Sequence, residues 1–197
     1  LLGPHNLANA ALAAACALAG GVEIAAIERG LADAPGAPGR LERVERADGR
    51  GPLVLVDYAH TADALEAVLA GLRPLAWGRL ITVFGCGGER DEGKRAPMGS
   101  AAGAGSDVVI LTSDNPRSED PEAILDAIEP ALVATGTPYE RCADRGQAIA
   151  LAIARADRPG DVVLLAGKGH ETTQDFGDRS IAFDDRKHAR QALEASE

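Results

Sequence analysis

Four apolar runs in this chain are continuous rather than alternating: residues 53–56 (LVLV), 80–84 (LITVF), 108–111 (VVIL) and 162–165 (VVLL). A strand with one face in water alternates apolar and polar positions, whereas an unbroken run marks a strand buried on both faces. Between the runs the apolar spacing shifts to three and four residues. Thr61 is placed to cap a helix with Leu65, Val68, Leu69 and Leu72 inward. Asp120-Pro121 opens another with Ile124, Leu125, Ile128 and Leu132 inward, and Asp144 a third with Ile149 and Ile153. Residues 139–142 predict a short strand, residues 180–183 one more strand at an edge, and a final helix begins at about Asp185. Strand alternating with helix predicts an α/β fold: a Rossmann-like, doubly wound, mostly parallel sheet with helices on both faces. Upstream, residues 6–19 are Ala-rich and helical up to Gly20-Gly21. Residues 22–32 predict a second helix with Ile24, Ile27 and Leu31 on one face. The stretch DAPGAPGR at 33–40 reads as a linker, which divides the chain into 1–36 and 37–197.

Composition narrows the picture. Aromatic residues make up only 3% of the 197, so the core must be built from Ala, Val, Leu and Ile. A net charge of −10 argues against nucleic acid as a partner. Cys16, Cys86 and Cys142 are odd in number and far apart, with no C-x-x-C pair. A disulfide framework or zinc site is therefore not expected, and a reducing compartment fits. The longest small or apolar run, residues 10–22, is too short to span a bilayer, so no membrane partner is expected. The chain starts at Leu1 without Met and reads as a piece of a longer protein.

In a doubly wound sheet ligands bind beyond the carboxyl ends of the strands. The four continuous runs are followed by DYAHTADAL, GCGGERDEGKR, TSDNPRSEDP and AGKGHETTQ, each rich in glycine or ionisable groups. The second holds a near match to a phosphate-cradling loop, Gly88 to Lys94. Arg95 stands where Ser or Thr would ligate Mg²⁺, and Glu89, Asp91 and Glu92 would repel a polyphosphate. Lys94 and Arg95 read instead as a charge pair at a helix start. HETTQ at 170–174 lacks the second His of a zinc protease, and no G-x-S-x-G or Cys–His pattern supports a covalent nucleophile. What remains is charge. Arg90 and Arg117 offer planar forks that match carboxylates, and Asp114 and Glu171 suit an ammonium. Asn115 can donate and accept, and Gly167 and Gly169 let backbone approach a ligand closely. Two cations and two anions complement a zwitterion such as an amino-acid head. Equally, the four could form salt bridges with one another.

PGRLERV (38–44), VDYAHTADAL (56–65), FGCGGERDEGKR (84–95), TSDNPRSEDP (112–121) and AGKGHE (166–171) occur in this order at spacings that resemble the Mur ligase family, in its diaminopimelate-adding branch. GPHNLANAALAA at 3–14 is similar to the end of that family's central ATP-binding domain, which would make 1–36 its helical tail and 37–197 the C-terminal Rossmann-like domain. The resemblance implies a cytoplasmic, monomeric, ATP- and Mg²⁺-dependent ligase of peptidoglycan synthesis. Such an enzyme activates a carboxylate of a UDP-N-acetylmuramoyl dipeptide as an acyl phosphate, which the amine of meso-diaminopimelate attacks. Carried over by motif, Arg90, Asp114, Asn115, Pro116, Arg117, Gly167 and Glu171 would bind diaminopimelate. Asn6 and Asn9 would lie near adenine, Arg40 near the phosphates and Asp57 at the ribose. The Mg²⁺ ligands and the catalytic residues are expected elsewhere in the parent enzyme. A lysine-adding or polyglutamate-adding sibling, or a non-catalytic small-ligand module, is the alternative. Ala62, Glu89 and Leu41 depart from the family's usual Pro, Asp and Met.

Overall fold

The computed structural model describes residues 4–195, so Gly3 of the first motif lies outside the described residues. The chain separates into two compact units, Leu1–Ala37 and Pro38–Glu197. The first contains α1 (Pro4–Ala19) and α2 (Ile24–Ala32). Helix α2 starts two residues later than the pattern predicts, because Glu23 is extended; its carbonyl accepts from Ala26 N and Ile27 N of the first turn.

The second unit is built on one six-stranded sheet. Its strands are β1 (Glu42–Val44), β2 (Leu53–Asp57), β3 (Leu80–Phe84), β4 (Val108–Leu111), β5 (Tyr139–Arg141) and β6 (Val162–Ala166). Their spatial order is β1-β2-β6-β3-β4-β5, and only the β1–β2 pair is antiparallel. Strand β6 inserts between β2 and β3, so three charged loops leave neighbouring strands in the centre of the sheet, with the β4 loop alongside.

Helices cover both faces, as the continuous apolar runs require. Val54, Val56, Ile81, Val83, Ile110, Val163 and Leu165 form one core with Ile149 and Ile153 of α6 (Arg145–Arg155) and Leu193 of α7 (Asp185–Ala195). The alternate residues, among them Leu55, Leu80, Phe84, Leu111 and Leu164, point the other way and are fully buried. On that side α3 (Ala62–Leu72), α4 (Arg95–Gly105) and α5 (Pro121–Val133) pack in succession. Every inward residue predicted for α3, α5 and α6 is buried.

Polar caps set where the helices begin. The Thr61 hydroxyl accepts from Ala64 N at 3.3 Å, and Asp120 accepts from Glu122 N at 3.0 Å. Asp144 accepts from Gln147 N at 2.9 Å. Asp144→Ala is expected to destabilise the protein by about 1 kcal/mol. That would be read as a lower denaturation midpoint at unchanged slope; an unmoved midpoint would show that the cap contributes nothing.

Two expectations need correction. Residues 180–183 do not form an edge strand of the main sheet. Strand β8 (Ser180–Ala182) pairs with β7 (Thr173–Asp175) in a separate antiparallel ribbon. The ribbon is tied elsewhere: Gln174 and Asp175 bond to the loop after β4. The charge pair Lys94-Arg95 does open α4, after a short 3₁₀ turn at Glu92–Lys94, but Arg95 is buried and pairs with Glu119 at 2.7 Å.

Candidate functional site

The loops after β2, β3, β4 and β6 converge on a cleft of about 580 Å³ at the carboxyl end of the sheet. Arg90, Asp114, Asn115, Arg117, Gly167 and Glu171 all line it. Pro116 does not; it is buried behind the cleft, where its carbonyl accepts from Glu119 N at 3.1 Å.

Backbone contacts hold the β3 and β4 loops together. Gly88 N donates to Asn115 O at 2.9 Å, and Arg117 Nη1 donates to Gly88 O at 2.6 Å. A Cβ on Gly88 would sit 2.0 Å from Pro116 O, so only glycine permits this approach. Arg95 and Glu119 extend the fastening: Glu119 accepts from Glu89 N at 2.5 Å and from Arg95 Nη2 at 2.7 Å. Glu89 (φ 50°) and Arg117 (φ 52°) both occupy the left-handed region, which disfavours their side chains. Strain of this kind persists only where surrounding contacts over-determine it, and here it sits on two facing loops of one cleft.

The four charged groups do not neutralise one another. Among the described residues no ion pair joins Arg90 or Arg117 to Asp114 or Glu171. Arg117 lies 3.8 Å from the Asp175 carboxylate, and Arg90 is exposed and forms no ion pair among the described residues. The acids answer instead to Lys168, which sequence reasoning missed. Its ammonium is fully buried, 3.0 Å from Glu171, 2.9 Å from Asn115 Oδ1 and 3.9 Å from Asp114. The signal available was a lysine flanked by two glycines at the end of a doubly buried strand. Gly167 (φ 113°) makes that turn possible, and a Cβ there would meet Asp114 Oδ2 at 2.6 Å.

Burial separates the two carboxyls. It pushes Asp114 up, only partly offset by Arg145 and Lys168. Burial also acts to raise Glu171, but hydrogen bonds from Asn115 and Lys168 outweigh it and hold that carboxyl below its usual range.

Beneath the cleft, Arg145 is a second group that the sequence did not mark. It is 1% exposed and meets Asp185 through two hydrogen bonds, Nε to Oδ1 at 2.8 Å and Nη2 to Oδ2 at 2.7 Å. It also donates to Ser113 O, in the loop after β4, and to Ala166 O, the last residue of β6. The site floor is thus pinned to the N-terminus of α7.

At the β2 side, the Asp57 carboxylate accepts from Leu41 N at 2.9 Å and Ala59 N at 2.8 Å and is 3% exposed. Arg40 lies over the Tyr58 ring, 5.0 Å from its centroid, and Tyr58 lines the cleft beside His60 and Lys94. Asn6 and Asn9 share α1 of the first unit; Asn6 is half-buried and Asn9 exposed. Cys86 makes no nucleophile: burial pushes its thiol up to about 12.

A family model described as Mur ligase, glutamate ligase domain matches residues 39–169, well over half of the chain. The chain belongs to the Mur ligase family. The Gloeobacter violaceus UDP-N-acetylmuramoyl-L-alanyl-D-glutamate–2,6-diaminopimelate ligase is 49% identical over 193 residues, which are 98% of this chain and 39% of that protein. A solved structure of a ligase with the same name matches with a TM-score of 0.77 at 40% identity, over 99% of this chain and 39% of the other. Folylpolyglutamate synthase from Mycobacterium tuberculosis, solved with ADP and AMPPCP, shares the fold at a TM-score of 0.64 and 26% identity, over 85% of this chain and 38% of its own. This Mur ligase chain therefore spans about two fifths of the length of the relatives it matches.

Proposed function

We propose that this chain is the amino-acid-binding part of an ATP-dependent ligase that adds meso-diaminopimelate to UDP-N-acetylmuramoyl-L-alanyl-D-glutamate. The observation that carries the reading is the cleft's charge layout. The cleft is lined by two guanidinium groups that form no ion pair with its acids, and by two carboxyls that share one buried lysine. That layout fits the zwitterionic head of an amino acid, with Arg90 and Arg117 on its carboxylate and Asp114 and Glu171 on its ammonium. Gly167 gives backbone access, Asn115 bridges the two acids' lysine to the cleft, and Pro116 shapes the loop that presents Arg117. The relatives named for diaminopimelate addition support this choice of amino acid over lysine or glutamate.

ATP, when bound, supplies the phosphoryl group that turns a carboxylate oxygen of the acceptor into a leaving group. The residues here do not perform that step. They hold the incoming amino acid by one end so that its other amine is aimed at the activated carbonyl, which removes an entropic cost from the barrier. For the nucleotide we place Arg40 toward the phosphates and Asp57 at the ribose, its carboxylate already oriented by Leu41 N and Ala59 N. In the first unit, Asn6 and Asn9 lie three residues apart on α1, a spacing that lets both reach one ligand. Among the described residues no group of three or more His, Cys, Asp or Glu side chains could hold a metal ion. No helix among the described residues is long and apolar enough to cross a membrane.

The test is substrate-dependent ADP release by the full-length ligase carrying this chain. ADP should form only when ATP, the UDP-muramoyl dipeptide and meso-diaminopimelate are all present. Turnover with a folate acceptor and glutamate, and none with the muramoyl dipeptide, would overturn the reading in favour of a polyglutamate-adding enzyme.

A further inference from the structure

Lys168 is fully buried, yet it belongs to no hydrophobic layer and touches no solvent. A buried ammonium is tolerated only when it is paired and hydrogen-bonded, so its partners reveal its purpose. Here they are Asn115 Oδ1, Glu171 Oε2 and, further off, Asp114.

The hydrogen bonds fix one arrangement. Asn115 Oδ1 receives two donors, Lys168 Nζ at 2.9 Å and Asp175 N at 3.1 Å. The amide therefore cannot flip, since a flip would set its NH₂ against an ammonium and a backbone N–H. Its Nδ2 is consequently forced toward Glu171 Oε2, to which it donates at 2.9 Å. That same oxygen also receives Lys168 Nζ at 3.0 Å. Both donors land on Oε2, so Oε1 is the oxygen of Glu171 that has no hydrogen-bond donor among the described residues, on a side chain one third exposed at the cleft.

The ion pairs point the same way: Arg145 pairs with Asp185, and Lys168 is the cation that faces Glu171 at 3.0 Å and Asp114 at 3.9 Å. With a neutral side chain at 168, Glu171 would lose both its anchor and the orientation of Asn115.

We infer that Lys168 is a positioning residue for ammonium recognition: it turns Glu171 and Asn115 so that one carboxylate oxygen of Glu171 faces the ligand. This rests on the amino-acid-binding reading of the cleft. Lys168 does not touch the ligand; it acts through Glu171.

The experiment is a double-mutant cycle in the full-length ligase with Lys168→Met, Glu171→Gln and the pair, measuring KM for meso-diaminopimelate, KM for ATP and the melting temperature. Lys168→Met should raise KM for diaminopimelate about 10- to 100-fold, the worth of a hydrogen bond to a charged group. KM for ATP should stay within about 3-fold, because the lysine reaches no nucleotide residue. The double variant should match Glu171→Gln alone within about 3-fold, since the lysine acts through that carboxylate. An unchanged diaminopimelate KM, an equal rise in both KM values, or effects that multiply would overturn the inference. If Lys168→Met does not fold, Lys168→Arg serves: its wider head cannot bond both partners in the same place, so diaminopimelate KM alone should rise, and a wild-type KM would overturn the idea. A wild-type ligase that ignores diaminopimelate would instead overturn the functional reading on which this one stands.

Discussion

Arg117→Ala is expected to lower kcat/KM for meso-diaminopimelate by about 10³- to 10⁴-fold while leaving the poor activity with L-lysine within about 10-fold. Arg117 is unusually well held for a loop residue. Its N donates to Asp175 O at 2.9 Å, its Nη1 to Gly88 O at 2.6 Å, and its backbone stays in the left-handed region. The fork is therefore oriented before any ligand arrives, and little rotamer entropy is lost when a carboxylate docks. L-Lysine lacks the distal carboxylate, so it gains nothing from the fork. Arg117→Lys should recover only part of the loss, because an ammonium keeps the charge but not the two parallel N–H groups. Steady-state ADP release at varied diaminopimelate and lysine checks this. If the ratio of the two kcat/KM values is unchanged in Arg117→Ala, Arg117 does not read the distal carboxylate.

The second large effect is on stability. Arg145→Met should destabilise the second unit by about 3–5 kcal/mol, because it leaves Asp185 buried and unpaired. Both side chains of the pair are fully buried, so solvent screening does not discount the effect. For a domain of this size that corresponds to a fall of roughly 6–20 °C in the domain's calorimetric transition. The double change Arg145→Met/Asp185→Leu should recover most of the loss, since a buried pair exchanged for apolar residues of similar volume is often near neutral. Its catalytic activity should not recover as fully, because the guanidinium also fixes Ser113 O and Ala166 O at the site floor. A single variant that melts with the wild type would show that Asp185 finds another partner or accepts a proton at little cost.

Most of the scaffold could be read from the amino-acid order because its physics is local. The doubly buried strands announce themselves as unbroken Val, Leu and Ile runs, and α3, α5 and α6 repeat their apolar faces behind a capping Thr or Asp. Helix α4 could not be read in this way. Its buried face is Met98, Gly99, Ala101, Ala102 and Gly103, small residues that let the helix pack closely but give no hydrophobic period. Strand β1 is three residues, Glu-Arg-Val, with nothing to distinguish it from a loop until β2 pairs with it. The ribbon of β7 and β8 was half seen: Ser180–Ala182 is extended, but its partner is set by the bonds of Gln174 and Asp175 to the β4 loop, which are long-range.

The site followed the same division. Arg90, Asp114, Asn115, Arg117, Gly167 and Glu171 were visible because each follows a strand whose end could be predicted, and strand ends in such a sheet share one edge. The outcome of their charges was not visible. Whether the four groups would neutralise one another turned on Lys168 and Asp175, and neither residue type nor spacing says which acid a lysine will choose. Arg145 looked like the first residue of an ordinary amphipathic helix. Only the return of α7 beneath the sheet converts it into the buried partner of Asp185 and a support for the site.

The central claim is that the cleft recognises an amino acid bearing a second carboxylate, and the most direct measurement is the pair of kcat/KM values for meso-diaminopimelate and L-lysine with the unmodified full-length ligase. The account predicts a preference for diaminopimelate of about 10⁴-fold, carried by the Arg117 fork and lost in Arg117→Ala. Comparable values for the two amino acids, or a preference for lysine, would contradict it.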